Sequence, residues 1–120
     1  MFSLNTYNII SMHKGDDLEI VLTLDCGDNL CPIRYELGEN DIVYFAIMEN
    51  CQSFENALVR KVFTKDNLDE NKDVVITLTP NDTICLLPTD YWYEIKLKRI
   101  SNDKEEIHTV VPKTKFTILE

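Results

Sequence analysis

Two stretches of strict alternation constrain this chain more than any other feature. Residues 17–25 interleave Leu18, Ile20, Leu22 and Leu24 with Glu19, Val21 and Thr23. Residues 91–99 set Tyr91, Tyr93, Ile95 and Leu97 against Trp92, Glu94, Lys96 and Lys98. A period of two is the spacing at which a pleated strand sends side chains to opposite faces. Each stretch therefore reads as a strand with one predominantly apolar face, not as a helix.

Further strands follow along the chain. Residues 6–12 form a first strand. Lys14-Gly15-Asp16 marks a turn, because Gly15 takes positive φ at low cost. Residues 41–49 are apolar on both faces, as in a central strand with additional cover. Residues 57–64 alternate less cleanly, and a two-turn helix over 54–60 competes there. Residues 65–72 form a polar loop and 73–79 a β-branched strand. Residues 107–111 and 115–119 make two more strands, separated by Pro112. Helix is confined to one short piece near residues 80–86: Thr79 can cap it, Pro80 suits its first position, and Pro88 ends it. The expected fold is all-β, a two-sheet antiparallel sandwich of seven or eight strands, in a single domain spanning residues 1–120.

The chain carries 12 basic and 21 acidic residues, a net charge of −9. Residues 1–60 hold 3 basic and 10 acidic groups, residues 61–120 hold 9 and 11, and the cations gather near Lys96, Lys98, Arg99 and Lys104. A nucleic-acid binder needs a basic face to displace counterions, so nucleic acid is not an expected partner. An anionic membrane is disfavoured on the same ground. No apolar run approaches the ~20 residues of a membrane span. The first residues carry no positive segment ahead of their apolar ones, so a cleaved export signal is not expected.

Reactive chemistry finds little support. With 3 glycines no phosphate-cradling loop can be built. Ser11, Ser53 and Ser101 lie in no nucleophile-elbow pattern, and His13 and His108 read as surface residues. Cys26 and Cys31 stand in a turn-rich segment beside Asp25 and Asp28, a setting that disfavours a thiolate. Cys51 and Cys85 read as small core residues. Four cysteines allow three disulfide pairings, and a reducing compartment favours free thiols. Zinc lacks its paired ligand spacing. The Asp25–Asn29 turn is the least poor calcium candidate, yet it lacks the acidic ladder of a calcium loop. Carboxylate pairs such as Asp16/Asp17 and Glu105/Glu106 read as solvated turns. The expectation is therefore no enzyme, no catalytic residue, no metal and no cofactor.

One resemblance spans residues 9–119. The segment Ile76-Thr77-Leu78-Thr79-Pro80-Asn81-Asp82-Thr83, then Leu87-Pro88, then Tyr91-Trp92-Tyr93-Glu94-Ile95-Lys96-Leu97 resembles the N-terminal immunoglobulin-like domain of phage baseplate upper proteins. It is similar too to related tail proteins in phages and prophages of Gram-positive bacteria. Lys14-Gly15-Asp16, Asp41-Ile42-Val43-Tyr44-Phe45 and Lys115-Phe116-Thr117-Ile118 are also similar. The family usually has Gly after the turn proline, where this chain has Thr89-Asp90. Thr resists positive φ, so a type I or longer turn is expected.

The resemblance implies an immunoglobulin-like sandwich in a non-enzymatic virion structural protein, a tail, baseplate or neck adaptor. Its partners would be other virion proteins and further copies of itself. Its destination would be the virion, after synthesis in the bacterial cytoplasm. The competing reading is a ligand-recognition sandwich for carbohydrate or a host surface receptor. Interfaces favour aromatics, which singles out Phe2, Tyr7, Tyr35 and Trp92. Trp92 alternates out of phase with Tyr91, Tyr93 and Ile95. Either it faces outward for docking, or it lies in the core and the tyrosines face out.

Overall fold

The computed structural model describes residues 3–4, 10–27 and 32–120. The expected first strand over 6–12 therefore lies partly outside the described residues. Among the described residues the chain is mostly β, with ten strands and one small helix. These are β1 Ser3–Leu4, β2 Ile10–His13, β3 Leu18–Leu22, β4 Leu24–Gly27 and β5 Pro32–Tyr35. Then come β6 Ile42–Met48, β7 Val59–Phe63, β8 Val74–Leu78, β9 Asp90–Ser101 and β10 Lys104–Leu119, with helix α1 Pro80–Thr83 between β8 and β9. They form a five-stranded sheet ordered β2-β10-β9-β6-β7, a two-stranded sheet β3-β8 and a three-stranded sheet β1-β4-β5.

The arrangement is sandwich-like. Inward residues Val43, Phe45 and Ile47 of β6, and Tyr91, Tyr93, Ile95 and Leu97 of β9, meet Leu22 of β3 with Val74, Ile76 and Leu78 of β8 in one core. The Tyr93 ring stacks on Phe45 at 5.8 Å and meets Phe116 edge-on at 6.3 Å. Alternation in the 91–99 stretch thus places the tyrosines inside and Trp92 on the opposite face. Burying apolar area at ~25 cal/mol per Å² supplies the main drive for closing these layers.

Several expectations need correction. The antiparallel sandwich of seven or eight strands becomes ten strands, and β2 runs parallel to β10. The 17–25 strand is broken at Thr23: β3 pairs with β8, and β4 turns away to pair with β5 and β1. At the break the Thr23 hydroxyl donates to Asp73 at 3.0 Å. Pro112 does not separate two strands. It lies within β10, inside the second of two register shifts against β9, the one between Val111 and Thr114. Consecutive Val110 and Val111 are both buried, as a bulge allows. A bulge is where a strand tolerates the missing N–H of proline.

Residues 54–60 resolve into a 3₁₀ turn, Phe54–Asn56, followed by β7. The polar loop 65–72 opens with a second 3₁₀ turn, Lys65–Asn67. The helix is shorter than the 80–86 expected. Cys51 and Cys85, read as core, are exposed in turns, Cys51 after β6 and Cys85 after α1. Glu105 and Glu106 belong to β10, not to a turn.

Turn chemistry is local. Gly15 sits at φ 90°, as its turn requires. Asn102 and Asp103 adopt φ 52° and 62° between Ser101 and Lys104. Two left-handed residues make the tight connection whose twist suits a hairpin, and Asn and Asp tolerate that region better than most side chains. Thr89 takes no positive φ, in keeping with the turn expected after Pro88. Where the chain crosses from β8 to β9, Asp82 anchors the start of α1. Its carboxylate accepts from the Thr79 N–H at 2.7 Å and from Lys61 Nζ at 2.9 Å. At the far end of the crossing, the Tyr91 hydroxyl donates to the Leu87 carbonyl and accepts from the Leu87 N–H, both at 2.9 Å.

Candidate functional site

The outer face of the five-stranded sheet follows from the same alternation that builds the core. Register pairs Lys96 with Tyr44 and Thr109, Tyr44 with Val62, Glu94 with Ala46, and Trp92 with Met48. Directly opposed residues share a face, so these side chains form rows across the sheet away from the main core. The sequence of β6, apolar on both sides, finds its second cover here. The 3₁₀ turn Phe54–Asn56 folds over the face, and Phe54 joins Ala46 and Met48 in a second buried cluster. Tyr44, Ala57 and Trp92 pack around it.

Phe54 is also the centre of the local electrostatics. Its ring meets Tyr44 edge-on at 6.2 Å. Lys96 Nζ stands 4.8 Å from the ring centroid, and the Arg60 guanidinium carbon 5.4 Å from it. The negative face of an aromatic ring attracts cations at such distances. Glu55, next in sequence, stays ionised more readily than usual. A backbone hydrogen bond lowers its pKa most; desolvation opposes this, and the Ser53 hydroxyl, Lys96 and Arg60 add to the lowering. Lys98 pairs with Glu105 at 3.2 Å. Lys113 Nζ donates to the Gln52 carbonyl at 2.6 Å and ties the covering segment to β10.

At the foot of the Phe54 ridge lies an open recess of about 180 Å³, with Tyr44, Phe54, Lys96, Lys98 and Ile107 among its walls. Three large aliphatics remain exposed on the same sheet face: Val62 opposite Tyr44, Ile107 opposite Lys98 and Ile100 opposite Glu105. The face can hold apolar and charged groups together. Among the described residues no three His, Cys, Asp or Glu side chains converge to hold a metal ion. No helix there is long and apolar enough to cross a membrane.

The aromatics singled out from sequence part company. Phe2 and Tyr7 lie outside the described residues, as do Asp28, Asn29 and Cys31 of the polar turn. Tyr35 is half-buried at the edge of the main core, where its hydroxyl donates to the buried Asp41 carboxylate and Arg99 stands 5.4 Å from its ring centroid. Trp92 is half-buried on the outer sheet face, against the Phe54 cluster. The structure thus brings Trp92, Tyr44 and Phe54 together and leaves Tyr35 elsewhere. Sequence reasoning missed Tyr44, Phe54 and Arg60. The apolar character of both faces of 41–49 signalled a cover, but nothing in the alternation said which segment provides it.

Comparison with protein-family models, with curated proteins and with solved structures finds no match to this chain.

Proposed function

We propose that this chain is an immunoglobulin-like assembly module, a non-enzymatic structural protein of a phage or prophage virion that works by docking on other proteins. The fold-level part of the reading is supported by order and by one local device. The run β10-β9-β6-β7 and the pair β3-β8 follow the G-F-C-C′ and B-E neighbours of immunoglobulin-like sandwiches. The hydroxyl of Tyr91, at the start of β9, bonds back to Leu87 as in a tyrosine corner. The virion part rests on the motif resemblance across residues 76–97.

The observation that carries the docking reading is the outer sheet face. It gathers exposed aliphatics, half-buried aromatics and cations on an otherwise acidic molecule. Exposed apolar area ringed by charge marks interaction surfaces. The test is mass spectrometry of density-purified particles induced from a strain that encodes the chain. Stoichiometric presence with tail proteins is the expected result, and absence from the particles rejects the virion role.

A second reading is recognition of a small ligand, favoured by the recess beside Phe54. An aromatic wall with neighbouring ammonium groups suits an acidic sugar. Titration calorimetry against sialylated and uronic-acid oligosaccharides separates it. Saturable binding that is lost in Lys96→Ala supports recognition, and flat titrations reject it.

A further inference from the structure

We propose that the outer face of the five-stranded sheet docks on the same face of a second copy of this chain, related by a twofold axis. The inference deepens the assembly reading of that face and rests on it. A twofold contact requires one patch to complement itself in shape, charge and apolar area.

Shape meets the requirement, because the patch holds a projection and a hollow side by side. The 3₁₀ turn Phe54–Asn56 rises over the sheet, and the recess of about 180 Å³ opens at its foot. Turned through a half rotation, the ridge of one copy faces the recess of the other.

Charge meets it as well. The whole molecule carries −9, so two copies repel over most of their surface. Around the ridge, however, Arg60, Lys96, Lys98 and Lys113 stand among Glu55, Glu94 and Glu105, so this patch lacks the acidic excess of the rest of the molecule. Lys98 and Glu105 already pair within the chain, and both signs on one patch let Arg60 and Lys96 meet carboxylates from across the axis. This is a face on which an acidic protein can approach its own copy without net repulsion.

Apolar area supplies the gain. Val62, Ile100 and Ile107 are 54%, 50% and 60% exposed, three of the eight large hydrophobics exposed among the described residues. The face measures roughly 20 Å by 30 Å in projection, on the order of 600 Å² before side-chain relief is added, against about 800 Å² per partner in a standard interface.

The test is sedimentation velocity on the full chain at tens of micromolar, with point variants at exposed positions. The wild type is expected at twice the 14.0 kDa chain mass. Val62→Glu and Ile107→Glu are expected to weaken association about 100-fold by putting a carboxylate into the apolar part of the contact. Both should keep the wild-type melting curve, since neither side chain is buried. Val21→Glu, at a site 53% exposed on the two-stranded layer, is expected to leave the dimer intact.

A monomeric wild type overturns the proposal, and so does a dimer that survives both face variants or is lost in Val21→Glu. The assembly reading fails separately. If the chain is found in virions yet sediments as a monomer, self-docking falls and the virion role stands. If it dimerises through this face but is absent from particles, self-docking holds and the virion role falls.

Discussion

Tyr91 shows how much one hydroxyl can do. The residue is buried, and its oxygen bonds both backbone groups of Leu87 at the end of the crossing between layers. Tyr91→Phe would keep the ring and strip both bonds, leaving the Leu87 N–H without this partner. A loss of about 1–3 kcal/mol is expected, read as a lower urea midpoint at unchanged slope. Asp82 is the second residue on which this crossing depends. Burial raises its pKa, but hydrogen bonds from the Thr79 backbone, from Lys61 and from the Thr79 hydroxyl outweigh that and hold it below its ordinary 3.8. A carboxyl depressed in the folded state stabilises fully above its unfolded pKa and loses that contribution as pH falls through the folded value. The loss therefore falls below about pH 4. Asp82→Asn should lower the urea midpoint at neutral pH and make stability less sensitive to acid, checked by urea melts from pH 7 down to pH 3.

At the scale of elements, the ridge over the outer face is the piece that strand logic does not require. Phe54 is the apolar side chain that plugs it into the sheet, 9% exposed between Tyr44 and two cations. Phe54→Ala is expected to cost about 2 kcal/mol and to loosen residues 49–58. Because the chain has one tryptophan, the check is direct. Trp92 emission should shift to the red as its cover is lost, and the Leu58 N–H, bonded to the Ile47 carbonyl, should exchange faster. The β9–β10 hairpin behaves in the opposite way. Its turn, Asn102-Asp103, and its alternating strands are local features, and tertiary packing adds only the bulges around Pro112.

For the whole molecule, charge sets the response to solution conditions. Ion pairs between exposed side chains, such as Lys65–Glu39 at 3.3 Å and Lys115–Asp90 at 3.2 Å, are worth little singly. Repulsion among the excess carboxylates acts against them. Raising ionic strength from ~0.01 M to ~0.15 M shortens the screening length from ~30 Å to ~8 Å. The melting temperature is expected to rise with salt over that range, and a thermal scan showing a fall would mean that the ion pairs dominate.

The sequence alone determined the strands that alternate, the turn at Gly15, the short helix start at Thr79-Pro80 and the opposite facing of Trp92 and Tyr91. Each depends on residues within a few positions of one another, where backbone geometry leaves few choices. Tertiary structure decided the rest. At the break Thr23 bonds to Asp73, fifty residues away, and the chain changes partner strand, while the passage of β10 through Pro112 depends on a partner strand that absorbs a bulge. The parallel seat of β2 beside β10 joins residues a hundred positions apart. The candidate site belongs to this second group: Tyr44, Phe54, Arg60 and Lys96 come from three elements and a turn. Only closing the sheet and folding 49–58 across it brings them together, because the hydrophobic gain is non-directional and selects a cover by fit rather than by pattern.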